Sequence, residues 1–323
     1  MKKSIVEIAM ASDAGYAVGM YVTAASIALY ASRDVCLSFT FLDGGIPNQQ
    51  FDSFIEKLKE LHPSVTYRRI KVEESVFKDF TAWRGNKMTY ARFMLIKELS
   101  DVEFVVYCDV DFLWLRDISK LWEMRDENVV LQAVRDPNVV NTKEPQWFKD
   151  HGYEFNEQTY LCAGFLFMNL KMLRAERFDE QAYALIRKNP DFLFADQEAF
   201  VILLGKRAKF LDASWMRFTK MLESDDFDKP IVCHFVNDVP WKSATLSDRL
   251  RDATMAWKLM ADKIAVLKLT AKERVFYFLT RAPVLRHLFY GALYCMGKRN
   301  LVQHLRTKCA YRIRFPNLNK NNH

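Results

Sequence analysis

Between Ser4 and Val72 the sequence switches hydrophobic period four times, and this alternation restricts the fold more than any other feature. Ser4–Met10 (SIVEIAM) reads as a strand and Ser12–Tyr16 as a turn, while Ala17–Ser32 is small and apolar enough for a helix. Val35–Leu42 is a second strand, ended by Asp43-Gly44-Gly45. Asn48–Leu61 has helical spacing, with Phe51, Phe54, Ile55, Leu58 and Leu61 on one face. Val65–Val72 is a third strand. Strand, helix, strand, helix, strand predicts a parallel α/β sheet. Such sheets bind ligands outside the carboxyl ends of their strands, where the winding direction reverses. Asp13 falls just after the first strand. It is either the cap of the following helix or a ligand contact.

The second informative stretch is Asp101–Arg116, where the apolar run Phe104–Cys108 meets Asp109 and Asp111 before a second apolar run, Phe112–Leu115. The first run has the length and the β-branched and aromatic content of a buried strand. Two ionised carboxylates one residue apart repel each other and are costly to bury. A bound divalent cation removes both problems. A strand-end turn with solvated acids is the competing reading.

Further along, Met88–Leu99 is expected to be a helix carrying Arg92, either solvated or aimed at a phosphate. Val129–Val134 is a strand ended by Asp136-Pro137. Asn138–Glu157 is polar and irregular, with Trp147, Phe148, Tyr153 and Phe155 embedded. It is either a binding loop or one that docks its aromatics into the core. Tyr160–Leu170 is apolar around Ala163-Gly164, small residues that suit close backbone approach. Leu173–Asn189 reads as a helix stopped by Pro190, and Asp196-Gln197 opens a helix over Glu198–Leu204. Ile231–Phe235 is a short strand carrying His234, either a satisfied core histidine or the nitrogen of an O,O,N site with Asp109 and Asp111 that suits Mn²⁺.

The order of these motifs resembles glycosyltransferase family 8, in particular the bacterial lipopolysaccharide galactosyl- and glucosyltransferases. The motifs are Ala11-Ser12-Asp13-Ala14-Gly15-Tyr16, Thr89-Tyr90-Ala91-Arg92, Asp109-Val110-Asp111, Cys162-Ala163-Gly164 with Asn169-Leu170, and Asp196-Gln197, closed by His234 and Pro240-Trp241. The resemblance covers roughly residues 4–245. It implies a GT-A fold: an α/β domain over 1–245 with one Rossmann-like nucleotide-binding mixed sheet flanked by helices. It implies a retaining transfer of galactose or glucose from a UDP-sugar to a lipopolysaccharide or other surface-glycan acceptor. Asp109, Asp111 and His234 would be the ligands of Mn²⁺, with Mg²⁺ the alternative. Ala11, Asp13, Tyr16, Arg92, Val110, Ala163 and Gly164 would line the nucleotide-sugar site. Asp136 and Asp196 would touch sugar hydroxyls, and Gln197 would lie beside the anomeric carbon. The chain departs from the family where Cys162 and Gly15 replace asparagines. In the closing motif Asn237 replaces a glycine, and no lysine precedes Pro240. Lys242 would then approach the diphosphate from the other side of Trp241. The altered motif motivates an alternative reading, a catalytically impaired, membrane-peripheral nucleotide-sugar-binding protein.

The six cysteines form no C-x-x-C pair and sit mostly among apolar neighbours, which fits reduced thiols rather than a disulfide framework or zinc site. Neither a signal peptide nor a spanning helix is expected. Charge is uneven: 12 Lys and Arg against one acid, Glu273, from Lys268 onward give +11, leaving −4 for the remainder of the total +7. Residues 246–323 therefore read as a basic amphipathic helical C-terminal region, with apolar faces over Lys263–Thr280 and Val284–Met296. Such helices suit anionic bilayers. Packing on the body and nucleic-acid binding are the competing readings, and no aromatic-basic recognition motif supports the latter. These readings place the chain in the cytoplasm, peripheral at the inner face of the cytoplasmic membrane.

Overall fold

The computed structural model describes residues 3–83, 85–222, 230–236, 239–242, 252–270 and 274. The N-terminal alternation becomes β1 (Ser4–Asp13), α1 (Ala17–Tyr30), β2 (Val35–Gly44), α2 (Asn48–Leu61) and β3 (Val65–Lys71). A 3₁₀ helix over Met88–Met94 and the one-turn α3 (Leu95–Glu98) lead into β4 (Phe104–Cys108). Next come β5 (Phe112–Leu115), α4 (Ser119–Trp122), β6 (Leu131–Arg135), α5 (Glu144–Asp150) and β7 (Leu161–Asn169). The chain continues through α6 (Leu170–Ala175), α7 (Phe178–Lys188), α8 (Gln197–Leu204), β8 (Lys209–Phe210), β9 (Arg217–Phe218), β10 (Ile231–His234) and α9 (Asp252–Lys263).

Seven strands form the central sheet in the order β3-β2-β1-β4-β7-β6-β8. The chain winds outward from β1 to β3 and returns to β4 on the other side of β1, so the reversal point lies between the carboxyl ends of β1 and β4. These strands pair in parallel, as the alternation predicts. The sheet becomes mixed at β7, which runs antiparallel to both β4 and β6. A second sheet, β5-β10-β9, stands beside it.

Side-chain alternation divides the core between the two faces of the central sheet. Val6, Ile8 and Met10 of β1, with Val106 and Cys108 of β4, pack against α1, α2, β5, β10 and α9. Ala9 and Ala11, with Val105 and Tyr107, face the 3₁₀ helix, α3 and α6–α8. The body's core also takes in the first helix beyond residue 245, since Trp257 and Met260 of α9 are buried there. The expected basic helices lie mostly over 271–273 and 275–323, outside the described residues.

Three local expectations are corrected. Met88–Leu99 is mainly 3₁₀ rather than one α-helix. Leu173–Asn189 is not one helix: Arg177, at φ 51°, breaks the stretch into α6 and α7. The segment after Asp136 is not irregular throughout but holds a 3₁₀ turn and α5, which Pro145 starts by supplying a preset φ at a position needing no N–H. Its aromatics dock: Trp147 and Phe148 are buried, and Tyr153 and Phe155 pack on the same cluster. No helix among the described residues is long and apolar enough to cross a membrane. The uncharged run 14–32 becomes the 14-residue α1.

Candidate active site

Every site residue singled out from the sequence lines one cavity of about 600 Å³ at the reversal point between β1 and β4. Its floor is the turn from β4 to β5. Helix α1 holds that turn from behind: Thr23 Oγ1 lies 2.9 Å from the carbonyl oxygens of both Val110 and Phe112. Trp114 N–H donates to Ser26 Oγ at 3.0 Å. A side chain on Gly19 would place its Cβ 2.6 Å from the Val110 carbonyl oxygen, so the absence of one permits this approach. Nothing in the small, apolar sequence of α1 marks Gly19, Thr23 and Ser26 as supports of the site.

Strand β10 brings His234 to the floor by pairing antiparallel with β5, in a register that sets His234 opposite Phe112. Its ring stacks on Phe112 at 4.2 Å between centroids, and Phe218 packs edge-on. His234 Nε2 lies 3.2 Å from Asp111 Oδ1. One ligand atom from each of Asp109, Asp111 and His234 lies within 4.8 Å of the others. Two oxygens and an imidazole nitrogen are a donor set for a divalent ion of intermediate hardness. Burial alone would depress His234, but the Asp111 carboxylate outweighs it and holds the imidazole well above its usual range. A cation is therefore favoured beside these acids. Gly164 leaves them room: a Cβ there would stand 2.9 Å from Asp109 Oδ2 and 3.0 Å from His234 Cε1. Gly164→Ala should lower Mn²⁺ affinity roughly 10–100-fold, the range seen when support around a metal site is disturbed, at about 1–3 kcal/mol of stability. Calorimetric titration with Mn²⁺ alone and urea unfolding measure the two effects. Wild-type affinity in the variant would refute the crowding argument.

One wall is an ion network around Arg92, which is buried. Its guanidinium reaches Asp109 Oδ1 at 2.9 Å and Asp196 Oδ2 at 3.0 Å, and donates to the carbonyl of Ala163. Tyr107 O–H donates to Asp109 Oδ1 at 3.0 Å, and Thr89 O–H donates to Asp196. Burial lifts the Asp196 carboxyl to about 6, with Arg92 and Thr89 pulling it down. Burial rules out the solvated reading of Arg92, which lines the cavity with its guanidinium set between two acids. Tyr107 was detectable: two residues before Asp109 on a strand, it shares that residue's face.

Gln197 Oε1 accepts from Ala163 N–H at 2.9 Å, and its amide nitrogen lies 3.4 Å from Asp136 Oδ2. Burial raises Asp136. On the opposite side Tyr16 N–H donates to Asp13 Oδ1 at 2.9 Å, and Asn86 donates to Oδ2. Asp13 thus braces the start of α1 and also faces the cavity. The Lys242 ammonium sits 4.0 Å from the centre of the Tyr16 ring, and Trp241 meets that ring edge-on. Cys162 Sγ lies 4.0 Å from His234 Nδ1.

The model of the family described as "Glycosyl transferase family 8" matches residues 7–245. The chain belongs to glycosyltransferase family 8. A Haemophilus influenzae protein provisionally named as a glycosyltransferase is 28% identical over 208 residues, covering 64% of this chain and 61% of that protein. Among solved structures, galactosyltransferase LgtC in complex with donor and acceptor sugar analogs superposes with a TM-score of 0.64 at 22% identity, covering 83% of this chain and 98% of that one. The bifunctional glycosyltransferase WbbM in its apo form gives 0.61 at 19% identity, over 75% of this chain and 48% of that one. The chain thus spans 61% of the Haemophilus influenzae relative and about half of WbbM. The mixed seven-stranded sheet flanked by helices is the GT-A fold that this family 8 chain shares with such structures.

Proposed function

We propose that this chain transfers a hexose, galactose or glucose, from a UDP-sugar to a lipopolysaccharide or similar surface glycan, with retention at the anomeric carbon. The observation that carries this reading is the convergence of Asp109, Asp111 and His234 on one point, at the sheet's reversal point, in a cavity large enough for a nucleotide sugar. Mn²⁺ or Mg²⁺ held by these three side chains would supply positive charge against the diphosphate as it leaves.

The chain's own residues account for the rest. Asp13 and Tyr16 stand where a nucleoside would enter, at the carboxyl end of β1. Lys242 stands over Tyr16 and supplies a cation to the diphosphate in place of the lysine missing before Pro240. Asp136 and Asp196 offer acceptor oxygens to sugar hydroxyls, and Arg92 keeps Asp196 in place. Gln197, locked to the backbone of β7, holds an amide beside the reacting carbon. Such a transfer needs positioning and electrostatics more than a proton relay. The basic balance of the C-terminal residues supports an anionic membrane surface as partner, at the inner face of the cytoplasmic membrane.

Thermal unfolding with UDP-galactose or UDP-glucose, each with Mn²⁺ or with a chelator, is the direct test. At 100 times the dissociation constant a ligand adds about 2.7 kcal/mol to the native state. We expect that stabilisation with nucleotide sugar and metal together, and turnover to UDP that needs the metal. No stabilisation by any UDP-hexose would end this reading. Stabilisation without product on any glycan acceptor would favour the impaired binder instead.

A further inference from the structure

Glu144 and Glu198 are both fully buried. They lie on two separate segments whose neighbouring residues line the cavity. Glu144 begins α5, just past Asp136, Asn138 and Thr142, which line the cavity. Glu198 follows Gln197 in the first turn of α8. The two carboxyls face each other, and among the described residues no cation or amide donor reaches either oxygen of Glu144 or Glu198 Oε2. With only the Tyr160 hydroxyl beside Glu144 and one backbone N–H on Glu198, two carboxylates in such a place cannot both stay ionised. A proton held between them supplies the missing donor.

Glu198 also grips the turn ahead of its own helix. Its Oε1 accepts from Phe194 N–H at 2.7 Å, across Ala195 at φ +61°. That φ is unfavourable for any residue with a Cβ and persists only where its surroundings hold it. The same turn carries Asp196 and Gln197. We propose that Glu144 and Glu198 share one proton and act as positioning residues, fastening the Asp136–Glu144 wall to the Asp196–Gln197 turn in register for the transfer step. The transfer role rests on the reading above; the shared proton does not.

The groups around the pair act in both directions. The Tyr160 hydroxyl beside Glu144 favours its ionised form, while the charge of Asp136 on the same segment favours a held proton. Burial first, then the Glu144 carboxyl beside it, push Glu198 well above the usual range, and burial raises Glu144. The native state therefore keeps a proton that the unfolded chain releases near pH 4–5. Stability must fall as pH rises above that point, until the native pair also ionises.

Two measurements on the full-length protein decide the matter. The first is urea unfolding of the wild type, Glu144→Gln and Glu198→Gln between pH 5 and 8. A glutamine supplies its own donor, so the wild-type unfolding constant should grow relative to either variant by up to about tenfold per pH unit. Parallel curves overturn the shared proton. The second is metal-dependent release of UDP from UDP-galactose or UDP-glucose. Glu198→Ala should lower kcat at least about tenfold with little change in KM, because none of the nucleoside contacts proposed above lies on the turn. Glu198→Gln should restore most of that loss and flatten the alkaline side of the kcat profile. Wild-type kcat in Glu198→Ala, or no rescue by glutamine, overturns the positioning role. A wild type that releases no UDP refutes the transfer reading and the positioning role with it, while the unfolding curves still judge the pair.

Discussion

Asp111→Asn is expected to reduce metal-dependent turnover by about 100-fold or more while leaving the fold intact. Asp111 supplies one of the three converging ligand atoms and lies 3.2 Å from His234 Nε2. An asparagine keeps the size and one oxygen but removes a full negative charge, so the remaining acid and imidazole hold a divalent ion poorly. The stability cost should stay within about 1 kcal/mol. The variant loses an ion pair with His234, but it also loses repulsion between Asp109 and Asp111. Turnover of UDP-sugar across a Mn²⁺ titration, with urea unfolding in parallel, separates the two effects. Raised metal demand with near-normal unfolding is the expected pattern. Wild-type turnover at equal Mn²⁺ would remove Asp111 from the site.

That prediction uses a juxtaposition only half visible in the chain. Asp109 and Asp111 were legible because charge interrupts an apolar strand in Phe104–Leu115. Asp13 was legible because it ends the first period-two run before a helical one. For His234 the residues alone left a core role and a place beside these acids both open, and the family resemblance favoured the second. Its approach depends on β10 pairing with β5 across more than a hundred residues, and no local periodicity encodes that pairing. The break at Arg177 and the turn at Ala195 were illegible for a related reason. Both take positive φ without the glycine that usually announces it, so tertiary packing fixes them. Glu144 and Glu198 were missed because an isolated glutamate, in a polar loop or on a helix, reads as solvent-facing. Only the tertiary placement of both segments removes water from the two carboxyls. Thr23 and Ser26 look like filler in a small-residue helix until the turn after β4 is laid against them.

Arg92→Leu is expected to destabilise the protein by about 3–5 kcal/mol at neutral pH, the cost of leaving buried charges without their partner. The fork of this guanidinium reaches Asp109, Asp196 and the Ala163 carbonyl together, and its face covers the Tyr107 ring at 4.5 Å. Leucine fills part of the volume but neutralises nothing. Asp196, already lifted to about 6 by burial, then loses the cation that pulls it down. Its folded-state value rises further above the unfolded one, and a carboxyl raised in this way costs stability as pH increases. The penalty for Arg92→Leu should therefore be smaller near pH 5 than near pH 8. Arg92→Lys should fall between the two, because an ammonium restores the charge but cannot span both acids and the carbonyl with fixed geometry. Urea unfolding of the three proteins at both pH values tests the magnitude and the sign together. A loss below about 1 kcal/mol, or a penalty larger at pH 5, would mean that the network is relieved by water and that Arg92 does not organise this wall of the cavity.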